Sequence, residues 1–214
     1  MKVGIFGTGD VGRALGRGFV TLGHEVTLGS REANNEKAVA WAKENGPKAA
    51  AGTFAETAEF GEILVLATLG AANEAVLKSA GPERLAGKIL IDTTNPLAHQ
   101  PGAPPALAIS GNDSGGEQVQ RLAPKAHVVK AFNIVGNAHM FRPDFSGGPP
   151  DMFFCGNDEG AKKRVGALLT DFGWNPVDLG GIEASRYLEA MCIVWVLYAL
   201  KQGGWNHAFK MLKK

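Results

Sequence analysis

The chain has 214 residues, of which 45% are hydrophobic and 20% charged, with a formal net charge of +1. That is enough chain to bury the core of one large domain, and the balance gives no field able to gather nucleic acid or anionic lipid. The longest apolar run, residues 190–200, has about 11 members against the roughly 20 a membrane span needs, so no membrane partner is expected.

Cys155 and Cys192 are the only cysteines, and Met1-Lys2 leads directly into a strand with no signal peptide. A cytoplasmic location with both thiols reduced follows. The five histidines are scattered without metal-ligand spacing, and no metal is expected. Glycine, at 29 residues, is close to twice the roughly 7% average; many tight turns or close backbone approaches are implied.

Residues 3–6 read as a short buried strand running into Gly7-Thr8-Gly9-Asp10-Val11-Gly12 and then a helix with Val11, Leu15 and Phe19 at spacings of four. Gly23-His24 breaks that helix, and residues 25–28 form the next strand. Helix follows at about 35–45, a weak small-residue strand at 49–51, and a capping-box signature, Thr53-x-x-Glu56, opens another short helix. Residues 63–67, 88–92 and 128–132 are continuous apolar strands, as a parallel sheet covered on both faces requires.

A Pro/Gly-rich segment occupies residues 95–116, and Ser114-x-x-Glu117 offers a second capping box into a helix ending near Leu122. Residues 151–155 and 176–179 read as two further strands flanking a helix at about 158–171. The tail, residues 183–214, reads as helical. The alternation predicts an α/β fold, a Rossmann-type doubly wound and mainly parallel sheet. Residues 1–182 would form the dinucleotide-binding domain, with 183–214 a helical extension serving dimerisation and the wall of a second site.

The Gly-x-Gly-x-x-Gly string follows a strand and opens a helix, the context in which it cradles a diphosphate. Gly7 serves the tight turn, Gly9 the close approach of backbone N–H groups, and Gly12 the packing of helix on sheet. Proteins that bind NAD place an acid near the end of the second strand to accept from the ribose 2′-hydroxyl. Here Gly29, Ser30 and Arg31 stand there instead. A guanidinium pairs with a 2′-phosphate, Ser30 and Thr8 add hydroxyls, Gly29 leaves room and Lys37 adds charge. The cofactor expected is NADP(H).

Few residues offer acid–base chemistry. Tyr198-x-x-Lys201 has the wrong spacing for a short-chain reductase, and Tyr187 has no lysine four residues on. Lys130 is a candidate general acid in a buried-looking strand. Ser114 is better explained by helix capping than by nucleophilic attack. A hydride passed between two planar rings has less need of a strong acid.

The strings Gly7 to Gly12, Leu22-Gly23-His24-Glu25-Val26 and Gly29-Ser30-Arg31 resemble the coenzyme F420-dependent NADP oxidoreductases (F420H2:NADP oxidoreductase). So do Asn95-Pro96-Leu97, Val128-Val129-Lys130-Ala131-Phe132-Asn133, Cys155-Gly156-Asn157-Asp158 and Ala184-Ser185-Arg186-Tyr187-Leu188-Glu189. The Val-Val-Lys-Ala-Phe-Asn string is also similar to the cytosolic reductase domain of the STEAP metalloreductases, which use NADPH to reduce a flavin.

The resemblance implies NADPH held by Thr8, Gly9, Asp10, Val11, Ser30 and Arg31. It also implies a deazaflavin (F420) or a flavin stacked on the nicotinamide near Thr68-Leu69, Asn95-Pro96-Leu97 and residues 133–137, which include Gly136 and Asn137. Where the archaeal enzymes have a histidine near the deazaflavin, this chain has Asn133, as the flavin-using relatives do. Asn133 is retained as a candidate catalytic position.

Residues 190–197 are apolar all round, so a helix there must be buried on most sides. A homodimer, with Trp195 and Trp205 packing across it, is the simplest burial. Two alternatives remain open: a reductase of a small imine or ketone, in which Lys130 is essential, and a non-catalytic NADPH-sensing module.

Overall fold

The computed structural model describes residues 1–98, 102–212 and 214. Among these, strand and helix alternate as the pattern predicts: β1 (Lys2–Phe6), α1 (Asp10–Thr21), β2 (Glu25–Ser30), α2 (Glu36–Asn45), β3 (Ala49–Thr53), α3 (Phe54–Phe60), β4 (Ile63–Leu66), α4 (Asn73–Ala80) and β5 (Ile89–Asp92). A two-stranded ribbon follows, β6 (Leu97–Ala98) and β7 (Ala106–Leu107), then α5 (Gly115–Leu122), β8 (His127–Lys130), β9 (Asp151–Gly156), α6 (Glu159–Asp171), β10 (Asn175–Asp178) and α7 (Ser185–Gln202).

Eight strands form one sheet in the order β10-β9-β8-β5-β4-β1-β2-β3. Every pairing is parallel except β8 with β9, which is antiparallel. A parallel return needs a crossover element. Residues 131–150 supply only one 3-10 turn, Asn137–His139, so the chain doubles back instead. The direction of winding reverses between β1 and β4, and ligands of such sheets bind at the carboxyl ends of the strands flanking that point.

The sheet is covered on both faces, and the residues of β1, β4 and β8 that meet the helices are buried Val, Ile, Leu and Phe. α1 presents Leu15 and Phe19 to the core. Phe19 packs edge-on to Phe172 at 4.7 Å. Trp41 of α2 lies fully buried against α1, and its indole N–H donates to the Arg13 carbonyl at 3.2 Å.

Two expectations need correction. The tail is helical only to Gln202: Gly203 takes a left-handed C-cap (φ 70°), and no helix occurs at residues 203–212. A glycine there can end the helix without strain, and the strand of chain beyond it returns to the body. The Asp151 N–H donates to the Phe209 carbonyl at 2.9 Å, and Lys210 Nζ donates to the Gly147 carbonyl at 2.6 Å.

The capping box at Thr53 and Glu56 forms in full, but the one at Ser114 forms by half. Ser114 Oγ accepts from the Glu117 N–H, whereas the Glu117 carboxylate accepts from Ser114 Oγ rather than from the Ser114 N–H. The Pro/Gly-rich segment at 95–116 contains the ribbon β6–β7, and its residues 99–101 lie outside the described residues.

Candidate dinucleotide and second-ring site

The turn after β1 is shaped by two glycines that touch protein. Gly7 has φ +123°, and a Cβ there would stand 2.4 Å from the Ala67 carbonyl oxygen; on Gly12 it would stand 2.4 Å from that of Gly7. The Gly7 N–H donates to the Gly29 carbonyl at 3.0 Å and ties the turn to the end of β2. Gly9 differs, since a Cβ there would meet nothing within 4 Å. It is the N-cap of α1, with no side chain capping the helix. The first N–H groups of α1 therefore face open space beside a residue with no side chain. Such a helix N-terminus favours an anion, and this cradle fits a diphosphate.

At the end of β2, Ser30 is buried and its hydroxyl closes a turn: Oγ donates to the Glu32 carbonyl at 2.5 Å and accepts from the Glu32 N–H at 3.2 Å. Its proton is engaged within the chain, so Ser30 shapes the turn that carries Arg31 rather than offering a free donor. Arg31 is exposed and makes no ion pair among the described residues. Lys37 is exposed in the first turn of α2. Gly29 leaves room for protein instead of ligand, because a Cβ there would stand 2.6 Å from Thr57 Oγ1 of α3. The Arg31 guanidinium and Lys37 ammonium at this edge fit the 2′-phosphate of NADP, with the exposed carboxylates of Glu32 and Glu36 in the same segment.

The second wall lies across the carboxyl ends of β4, β5 and β8. The turn after β4 carries Thr68 and Leu69, and Leu69 is 80% exposed. A Cβ on Gly70 would stand 2.3 Å from the Asn95 carbonyl oxygen, so this turn backs directly onto Asn95-Pro96. Asn95 and Asn133 clasp each other: Asn95 Nδ2 donates to the Asn133 carbonyl at 2.9 Å, and Asn133 Nδ2 donates to Asn95 Oδ1 at 3.0 Å and to the Leu188 carbonyl at 2.9 Å.

Both Asn133 amide hydrogens are thus engaged within the protein. Its Oδ1 is a buried acceptor without a partner among the described residues. The residue before it, Phe132, has φ 62°, a backbone region that costs a bulky residue free energy and tends to mark functional sites. A Cβ on Gly136 would stand 3.4 Å from the Trp195 ring, and Asn137 is exposed. The predicted wall residues 68–69, 95–97 and 133–137 thus meet at one edge.

Behind this wall runs a chain of buried polar groups. Thr68 Oγ1 donates to Asn73 Oδ1 at 3.0 Å, Asn73 Nδ2 to Thr94 Oγ1 at 2.8 Å, and Thr94 Oγ1 to Asp92 at 2.7 Å. Lys130 Nζ stands 2.8 Å from Asp92, 2.8 Å from Glu189 and 2.8 Å from the Thr94 carbonyl. The Glu189 carboxylate also accepts the Gly115 and Gly116 N–H groups at the start of α5, at 3.0 Å each. One buried cation faces two buried carboxylates, and the positive end of α5 offsets the excess.

Burial works against the Lys130 ammonium, but Asp92 and Glu189 outweigh it and hold its pKa above the usual lysine value. Its side chain has no exposure, so Lys130 reaches no substrate and is not the general acid that its position in sequence suggested. Ser114 likewise caps α5 and shares a 2.9 Å hydrogen bond with Ser185. Cys155 and Cys192 are buried, and burial pushes their thiols up to about 12 and about 11. Among the described residues no group of three or more His, Cys, Asp or Glu is placed to hold a metal, and no helix is long and apolar enough to cross a membrane.

Sequence reasoning missed Asn73, Asp92, Thr94, Phe132 and Glu189. A signal existed in Lys130, which interrupts the apolar run 128–132, because a buried charge must find partners; Asp92 and Glu189 stand only at the edges of apolar runs. Nothing in the sequence pairs them, since they lie 38 and 59 residues apart.

The sequence model of the family described as "NADP oxidoreductase coenzyme F420-dependent" matches residues 2–96. An F420-dependent NADP reductase of Methanocaldococcus jannaschii is 31% identical over 202 residues, covering 89% of each chain. The crystal structure of a candidate F420-dependent NADP reductase of Arthrobacter sp. FB24 is 39% identical, has a TM-score of 0.93 and covers 100% of both chains. The rat metalloreductase STEAP3 is 31% identical over 190 residues, but the chain spans only 36% of that protein's length. The wall-to-wall match to the archaeal reductase and to the Arthrobacter structure carries the conclusion that this chain belongs to the family of coenzyme F420-dependent NADP oxidoreductases.

Proposed function

We propose that the protein transfers a hydride between NADP(H) and the flat ring of a deazaflavin such as F420 or of a flavin. The observation that carries this reading is the chemistry of the second wall. Residues 68–69, 95–97 and 133–137 offer hydroxyl, amide and apolar groups and no carboxylate, histidine or lysine. The ionisable groups directly behind it, Asp92, Lys130 and Glu189, are buried, and Asp10, Arg13 and His139 lie only at its Asn137 end. A proton relay to a carbonyl or imine needs a positioned acid; ring-to-ring hydride transfer needs alignment and exclusion of water.

NADPH, when bound, supplies the hydride. The chain's part is to hold and orient. The N–H groups at Gly9, Asp10 and Val11 take the diphosphate at the start of α1, with Thr8 alongside. Arg31, with Lys37 near the start of α2, takes the 2′-phosphate on the turn that Ser30 closes. Leu69, Pro96 and Leu97 give apolar contact that keeps water from the ring faces. The Asn95–Asn133 clasp fixes a single amide orientation at the ring edge, so Asn133 acts by positioning, and its unpartnered Oδ1 would accept from an N–H of a bound ring or carboxamide.

We also propose a homodimer through α7, where Tyr187, Val194, Leu197 and Tyr198 remain exposed on an apolar helix, in a cytoplasmic protein. Sedimentation of the intact chain and of Leu197→Glu tests the dimer.

The reading is tested by mixing the protein anaerobically with NADPH and, in turn, F420, FMN, FAD and riboflavin. Loss of NADPH absorbance matched one-for-one by acceptor reduction with at least one of them is expected. Reduction of none, alongside turnover of small imines or ketones, would replace it.

A further inference from the structure

A cleft of about 330 Å³ lies between α1 and the turn at Asn137–His139. Asp10 and Asn137 line it, and they belong to the phosphate turn and to the second wall, so the cleft opens where those two features meet. Arg13 and Arg17 line it one turn and two turns along α1. Ala14, Gly18 and Ala138 leave it wide, and Phe141 closes the far end. A Cβ on Gly18 would stand 2.9 Å from the Phe141 ring and 2.8 Å from that of Phe172, so the helix lies directly on the rings that end the cleft. From Asp10 to Gly18 the cleft follows roughly 12 Å of helix at the usual rise.

The adenosine half of NADP is assigned to the opposite flank. Gly7 leads to the end of β2 on that side, and Trp41 of α2 seals α1 there through its bond to the Arg13 carbonyl. The 137–141 flank is therefore left to another group. Both arginines are held only by weak surface partners: Arg13 by Asp10 at 2.5 Å, and Arg17 by Glu44 at 3.6 Å with both side chains more than half exposed. Exposed pairs of this kind contribute little, and a guanidinium exchanges such a carboxylate for a phosphate that accepts two parallel hydrogen bonds.

We propose that this cleft binds the phosphate-bearing side chain of the second ring cofactor, with Arg13 and Arg17 taking the phosphate while the ring lies at the Asn95–Asn133 edge. The inference rests on the proposed function, and it names the part of the acceptor that sets affinity: an anionic tail one or two helical turns from the ring. Asp10, released by Arg13, turns to solvent.

Two matched pairs of probes separate tail from ring: FMN with riboflavin, and F420 with its tail-less deazaflavin chromophore. Each is titrated by fluorescence into protein saturated with NADP+, so that no turnover is needed. FMN binding about tenfold tighter than riboflavin is expected, the equivalent of ~1.4 kcal/mol, with the same order in the deazaflavin pair. In Arg13→Gln/Arg17→Gln that preference falls to near unity, and Arg17→Gln alone gives an intermediate loss.

Inorganic phosphate at high concentration competes with FMN and leaves riboflavin binding unmoved, which distinguishes the cleft from the NADP phosphate sites already filled. Equal dissociation constants within both pairs, a preference that survives in the double variant, or binding of none of the four probes overturns the inference. Hydride transfer to riboflavin, which lacks the tail, reports on the proposed function separately: that reading can fail while the phosphate preference stands, and the reverse.

Discussion

Lys130 and Asp92 face each other as direct partners in the β8–β5 register, with ammonium and carboxylate 2.8 Å apart and neither side chain reaching solvent. Glu189 closes the group from α7. Removing one member of a buried ionic group leaves the others uncompensated, at a cost of about 3–5 kcal/mol. Lys130→Met is therefore expected to lower the urea midpoint severely. The same substitution in a catalytic lysine would abolish turnover and leave the midpoint near that of the parent. Equilibrium unfolding beside kinetics separates the two.

The turn after β1 allows a cleaner separation of folding from binding. Gly12→Ala puts a Cβ 2.4 Å from the Gly7 carbonyl oxygen, a distance real Cβ atoms do not tolerate, whereas Gly9→Ala meets no protein atom within 4 Å. Gly9 also has an ordinary φ of −74°. Gly9→Ala should keep its stability within about 0.5 kcal/mol of the parent, as a surface change does, and lose NADPH affinity by tenfold or more. Gly12→Ala should lose stability first. Calorimetric titration and thermal melts on the two variants check the contrast.

Arg31 stands exposed without an ion-pair partner at the end of β2. Arg31→Ala is expected to weaken NADPH binding by about 1.5–3 kcal/mol, the range for a hydrogen bond to a charged group, with little change for NADH. Equal losses for both cofactors would place the guanidinium elsewhere than at the 2′-phosphate.

Glu117 joins α5 to α7 through a forked pair with Arg186 at 2.8 and 2.6 Å. That guanidinium holds the Glu117 carboxyl below its ordinary value of 4.5, against the opposing effect of burial. A carboxyl with a lowered folded pKa binds fewer protons folded than unfolded, so its contribution is complete above about pH 4.5 and is lost as pH falls through the lower folded value. Urea midpoints measured from pH 6 down to pH 3 should fall, and in Glu117→Gln they should fall less steeply. Identical slopes would remove this pair from the acid response.

The βα alternation and the phosphate turn were legible because each is local: period, cap and glycine spacing all lie within a dozen residues. The full capping box at Thr53 and Glu56 is of this kind. The half-formed one at Ser114 was not, because Glu117 is drawn to Arg186, 69 residues away, and Glu189 takes over the start of α5.

The antiparallel reversal of β8 and β9 depends on what residues 131–150 fail to form, and Phe132's left-handed backbone has no local signature. The role of Gly29 was misread for the same reason, since Thr57 reaches it from another element. The candidate site positions were named from residue type and motif alone. Their hydrogen-bond partners, such as Leu188 for Asn133, became visible only when distant elements met.

The proposed function requires that a hydride pass directly between two flat rings held at the Asn95–Asn133 edge. NADPH carrying deuterium at C4, presented with F420 or with 5-deaza-FMN, tests it most directly, because carbon at position 5 retains what it receives. Deuterium at C5 of the reduced acceptor, in near-equal amount to the NADPH oxidised and in water of ordinary isotopic composition, is the predicted result. An acceptor reduced with hydrogen drawn from solvent, or left unreduced while NADPH stays bound, would contradict it.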